Sequence, residues 1–63
     1  MEKAFQRLLD NKFLVSLEHD IWSDKKREAR RFDVKEYKNV LLVLLNTYQE
    51  KDIVVYTDYN FKN

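Results

Sequence analysis

From Asp33 to Tyr48 the chain reads Asp-Val-Lys-Glu-Tyr-Lys-Asn-Val-Leu-Leu-Val-Leu-Leu-Asn-Thr-Tyr, and the apolar positions Tyr37, Val40, Leu41, Leu44, Leu45 and Tyr48 recur three and four apart. On a helix those residues lie above one another and make one broad face. Leu42 and Val43 fall on either flank of the opposite side, so the middle turn is apolar almost all round. A helix of that kind is normally enclosed by its own chain or by another. The start is well marked. Asp33 as N-cap with Glu36 three residues on forms an acidic capping box, and Phe32 ahead of the cap is placed to staple onto Tyr37. The polar stretch from Gln49 to Asp52 marks the end.

Upstream, Phe5, Leu9, Phe13, Leu17 and Ile21 follow at four-residue steps with Leu8 and Leu14 beside them, which predicts a first helix over residues 2–22. Asp10-Asn11 is a possible break in it, and Phe13-Leu-Val-Ser-Leu17 also reads as a short strand, because short apolar runs are ambiguous by period. Ser23 to Arg31 has only Ala29 as an apolar member, so it is a solvated extension of that helix or a restart capped by Ser23. Within it, Asp24 with Arg27 and Glu28 with Arg31 have the three-residue spacing of helix-surface ion pairs. The turn then falls near Arg31 to Asp33. Ile53-Val-Val-Tyr-Thr57 has strand composition but no evident partner. It either pairs with a symmetry mate or packs as a tail through Ile53, Val55, Tyr59 and Phe61. The expected fold is mainly α: one domain over residues 1–63, an antiparallel helical hairpin with a short C-terminal strand or extended tail.

Size sharpens that expectation. A chain of 63 residues buries only about 60% of its unfolded surface, and its core gain is nearly offset by an ordering cost of about 1.5 kcal/mol per residue. Without cysteine and with a single histidine, neither disulfides nor a zinc cluster can staple it. Association is the staple that remains. Tyr37, Val40, Leu41, Leu42, Val43, Leu44 and Tyr48 are therefore the candidate interface of a homodimer, two hairpins forming a small helical bundle. The longest apolar run, Val40 to Leu45, is far short of the roughly 20 residues that span a bilayer, and the N-terminus lacks a signal-peptide core. These features point to a cytoplasmic protein without membrane contact. With no glycine and no proline, turns fall to Asp, Asn and Ser.

Candidate chemistry is sparse. Asp33, Glu36 and Lys38 resemble in order the acid and Glu-x-Lys pattern of magnesium-dependent nucleases, but those acids have a capping role to fill and sit at a helix start rather than on adjoining strands. His19 lies between Glu18 and Asp20, and consecutive helical residues point apart, so it is expected in solvent. No catalytic residue, metal ligand or cofactor site is assigned, and an enzyme is not expected. Twelve basic and eleven acidic residues nearly cancel, which excludes bulk-charge binding to nucleic acid. The local cluster Lys25, Lys26, Arg27, Arg30 and Arg31, beside Trp22, has the composition of a binding hot spot. These six residues are the candidate partner surface, the partner being a protein with an acidic face. The function expected is that of a small regulatory protein, an inhibitor or anti-repressor of the kind phages and mobile elements encode. The alternative is a DNA-binding transcription regulator using residues 25–38, whose Lys35 and Lys38 extend the basic stretch.

Overall fold

A computed structural model describes residues 2–57. Its elements are β1 (Glu2–Arg7), β2 (Lys12–Ser16), β3 (Ile21–Ser23), a 3₁₀ turn at Lys26–Glu28, β4 (Phe32–Asp33), α1 (Tyr37–Leu45), a second 3₁₀ turn at Glu50–Asp52, and β5 (Ile53–Thr57). β1 is the centre of an all-antiparallel sheet. β5 runs along one edge of it, from Lys3 opposite Thr57 to Arg7 opposite Ile53. The other edge is shared: β4 pairs at its start, through Glu2 and Lys3, and β2 at its end, through Gln6 and Arg7. β3 lies outside β2, with a register shift between Leu14 and Ser16. Leu8 N–H donates to Asp52 C=O at 2.8 Å, carrying the β1–β5 ladder one step beyond the strands.

The helical hairpin is therefore overturned. The described residues are mainly β, 38% strand against 27% helical, and the segment expected as a first helix is the meander β1–β2–β3. The reason lies in burial. Strand alternation is legible only when one face is wet, and sheets covered on both sides read as continuous apolar runs. Here Ala4 and Phe5 are neighbours on opposite faces and both are 0% exposed, as nearly are Phe13 and Leu14. Those doublets, with Leu8-Leu9 between them in a turn, imitate a four-residue stripe. Leu9 is instead 71% exposed.

Turn chemistry does what glycine usually does. Asn11 (φ 59°) and Asp20 (φ 53°) occupy the left-handed region, which Asn and Asp enter more readily than other non-glycine residues. The break expected at Asp10-Asn11 is the β1–β2 hairpin turn, where Asp10 Oδ1 accepts from Lys12 N–H at 3.3 Å.

α1 covers one face of the sheet. Val40 and Leu44 enter a core with Phe5, Leu14, Phe32 and Ile53, and Leu17, Trp22, Tyr37, Leu41, Tyr48 and Val55 pack around it. Phe5 and Phe32 meet with ring centroids 5.7 Å apart. Ahead of the helix Asp33 Oδ1 accepts from Lys35 N–H at 2.9 Å and Glu36 N–H at 2.8 Å, but the N-cap itself is Glu36, without a side-chain cap hydrogen bond, so Asp33 shapes the turn before the helix rather than capping it. The regular helix then starts at Tyr37, and Asp33 also ends β4. On the other face Ala4 and Phe13 lie with Tyr56, whose ring is 5.9 Å from that of Phe13.

The homodimeric bundle falls with the hairpin. With α1 the one α-helix of the described residues, its apolar face is spent on the chain's own sheet: Val40 and Leu44 are buried there, and Tyr37, Leu41 and Tyr48 are half-buried against the same cluster. Only Leu42 and Val43 of the proposed interface residues remain exposed. The strand expected at Ile53–Thr57 is present, but it pairs with β1 of its own chain rather than with a symmetry mate. Tyr59 and Phe61 lie outside the described residues.

Candidate functional site

The most developed side-chain constellation centres on Arg7, at the end of the central strand. Its guanidinium stacks 4.2 Å from the Trp22 ring centroid and 5.6 Å from that of Tyr48. Nε and Nη2 form a fork onto Asp10, to Oδ1 at 3.0 Å and Oδ2 at 2.7 Å, while Nη1 donates to Tyr48 Oη at 2.8 Å. The register explains the convergence. Arg7 follows Lys3 and Phe5 on the face that α1 covers, Leu14 opposite Trp22 brings that indole to the same face, and Tyr48 follows α1. The hydrogen bond to Asp10, with a lesser one to Tyr48, raises the Arg7 pKa above its ordinary value against an opposing contribution from burial, and the same fork lowers the Asp10 pKa. Arg7 is thus a permanent cation held between two rings, and its role is to tie β1, β3 and the end of α1 together.

Trp22 is accordingly half-buried, and its Nε1–H donates to Asp20 Oδ1 at 2.8 Å. The ring of Tyr48 approaches it edge-on, with centroids 6.0 Å apart. Trp22 thus packs as a lid over the edge of the core. Beside it lies a groove of about 220 Å³ lined by Leu17, Asp20, Trp22, Val43, Leu44, Thr47 and Tyr48. A wider and more open hollow of about 640 Å³ lies along β3, lined by Lys12, Val15, Ile21, Trp22, Ser23, Asp24 and Glu28.

The six residues singled out as a partner surface are divided by the sheet. Trp22 belongs to the α1 side, whereas Lys26 Nζ sits 5.3 Å over Tyr56 on the opposite side. Arg30 lies 5.1 Å over Phe32, and Lys25, Arg27, Arg30 and Arg31 are all exposed. The connection that carries them has a defined path. Ser23 Oγ donates to Glu28 and accepts from Lys25 N–H at 3.1 Å, the 3₁₀ turn closes through Ala29 N–H to Lys26 C=O at 3.1 Å, and Arg30 N–H reaches Leu14 C=O at 2.9 Å. Ala29 is already extended (φ −61°, ψ 130°), so Glu28 and Arg31 are not neighbours on a helix surface.

His19 is exposed in the β2–β3 turn, and Asp33 and Glu36 serve the entry to α1. Among the described residues no group of three or more His, Cys, Asp or Glu side chains is placed to hold a metal ion, and no helix is long and apolar enough to cross a membrane. Sequence reading missed Arg7, Asp10 and Asp20 as members of a cluster. The one available signal was the Asp10-Asn11 turn, which as a hairpin brings Arg7 and Asp10 together.

Comparison of the chain with protein-family models, with curated proteins and with solved structures finds no match.

Proposed function

We propose that this chain is a small regulatory protein that acts by binding another protein, and that the β3–β4 connection is the surface it offers to an acidic partner. The observation that carries the reading is the exposure of Lys25, Arg27, Arg30 and Arg31 on a backbone already fixed by hydrogen bonds. A preordered cationic segment loses little freedom on binding, and a local positive patch steers an acidic surface toward it. The chain's net charge of +1 makes that patch a local feature rather than a general property.

The test is a titration of a fluorescent glutamate-rich peptide with the parent chain and with the triple variant Arg27→Glu, Arg30→Glu, Arg31→Glu, alongside a short DNA duplex. Saturable peptide binding that the triple variant loses by at least about tenfold, the effect of roughly 1.4 kcal/mol, supports the reading. No peptide binding at low salt, or equal binding by the variant, overturns it. Duplex binding that is tighter than peptide binding and falls log-linearly with salt moves the function to nucleic acid.

A further inference from the structure

We infer that the groove between the β2–β3 turn and the C-terminal half of α1 is a second binding site, for a peptide segment of another protein that presents a leucine- or phenylalanine-sized side chain next to a lysine or arginine. The floor and walls are apolar: Leu17, Leu44, the Trp22 and Tyr48 rings, and Val43, which is 48% exposed. At about 220 Å³ the groove exceeds the roughly 150 Å³ of a dry cavity that accepts benzene, so one large apolar side chain fits. Leu42, which precedes Val43 on α1, is 64% exposed.

Charge selects the occupant. Asp20 is the one charged residue lining the groove, and it is held in place. Its backbone occupies the left-handed region at φ 53°, its N–H points to Leu17 C=O at 3.4 Å, and the preceding His19 N–H is taken by Ser16 Oγ at 3.2 Å. One carboxylate oxygen, Oδ1, accepts from the Trp22 indole. Asp20 is exposed, its other oxygen, Oδ2, accepts no hydrogen bond from the described residues, and an ionised carboxylate has lone pairs to spare for a second donor. The C-terminal end of α1 adds to the bias: it carries partial negative charge, and its last turn contains no basic residue to offset it. Arg7, behind the Trp22 ring, is already matched by Asp10. An apolar side chain flanked by a cation is therefore favoured over the same side chain flanked by an anion.

This site lies on the α1 side of the sheet and does not depend on the basic connection. Its test uses a capped peptide of alternating leucine and lysine, with leucine–glutamate and serine–lysine peptides of equal length as comparators. Binding is read by the emission of Trp22, the single tryptophan, and by NMR shifts of Leu17, Val43 and Thr47. The leucine–lysine peptide is expected to bind saturably and to shift those residues, and the comparators are not. Asp20→Asn, which retains both the left-handed backbone preference and an acceptor for the indole, weakens binding about two- to fivefold, the reach of an exposed ion pair. Val43→Gln, at an exposed helical position, weakens it about fivefold by removing apolar contact. The triple arginine variant leaves it unchanged, which separates this site from the β3–β4 connection. Equal binding of the lysine and glutamate peptides, no binding of either, or shifts that map away from the groove would each overturn the assignment.

Discussion

Replacing Arg7 with alanine tests how the sheet and helix are joined. Three kinds of contact are lost together. Stacking on Trp22 at 4.2 Å and Tyr48 at 5.6 Å is worth about 0.5–1 kcal/mol per ring at a site of this exposure. The hydrogen bond to Tyr48 Oη at 2.8 Å adds about 1 kcal/mol. The Asp10 fork, with side-chain exposures of 17% and 36%, is a solvent-screened surface pair and adds the least. The rings and the Tyr48 bond together give an expected loss of about 2–3 kcal/mol, large against the roughly 3–9 kcal/mol that a chain of this length commands. The melting temperature should fall by on the order of 15 °C. Arg7→Lys keeps the charge but not the planar fork, and lies between the two. The assay is urea unfolding followed by Trp22 emission and far-ultraviolet circular dichroism, with Tyr48→Phe completing a double-mutant cycle. A variant within about 0.5 kcal/mol of the parent, or a coupling energy near zero between positions 7 and 48, would refute the clamp.

Acid should weaken the fold in a definite window. Asp10 is held below its ordinary pKa by the Arg7 fork, so its contribution is present above the unfolded-state value of about 3.9 and is lost as pH falls below it. Urea midpoints measured from neutral pH to below pH 3 should drop at the acid end, and Asp10→Asn should flatten part of that drop. Asn11→Gly should leave stability unchanged or raise it, whereas Asn11→Ala should cost about 1 kcal/mol, because the φ of 59° disfavours a Cβ without a local hydrogen-bonding group; equal midpoints would refute this. Phe5→Ala removes a ring that is 0% exposed at the centre of the core, and a cost of about 3–5 kcal/mol should abolish cooperative unfolding. A sharp transition in that variant would mean that Phe5 is not central.

The parts legible in the sequence are those where local chemistry and tertiary structure agree. Asp33 marks the turn into α1, because its carboxylate accepts from the N–H groups of Lys35 and Glu36 just ahead of the helix, and Val40 and Leu44 form the inward stripe of α1. Ile53–Thr57 is β-branched and aromatic enough to be a strand in any context, and it is one. The first half was illegible because its strands are buried on both faces. The Ala4-Phe5 and Phe13-Leu14 doublets remove the alternation that distinguishes a strand, and with Leu9 in the turn between them Phe5, Leu9 and Phe13 fall at four-residue steps, close to a helical repeat. A helical β1 leaves β5 without a partner and the apolar surface of α1 in surplus, which is why the sequence points to a second chain. The Arg7 cluster joins residues 41 positions apart, and no local pattern announces such a contact.

The antiparallel pairing of β1 with β5 carries the whole architecture, and a nuclear Overhauser spectrum of the uniformly labelled chain tests it most directly. Cross-strand contacts should link Ala4 with Tyr56, Phe5 with Val55 and Gln6 with Val54, with no medium-range helical contacts between residues 2 and 17. Absence of those three pairs, together with a continuous run of i to i+3 contacts through residues 2–17, would contradict the account.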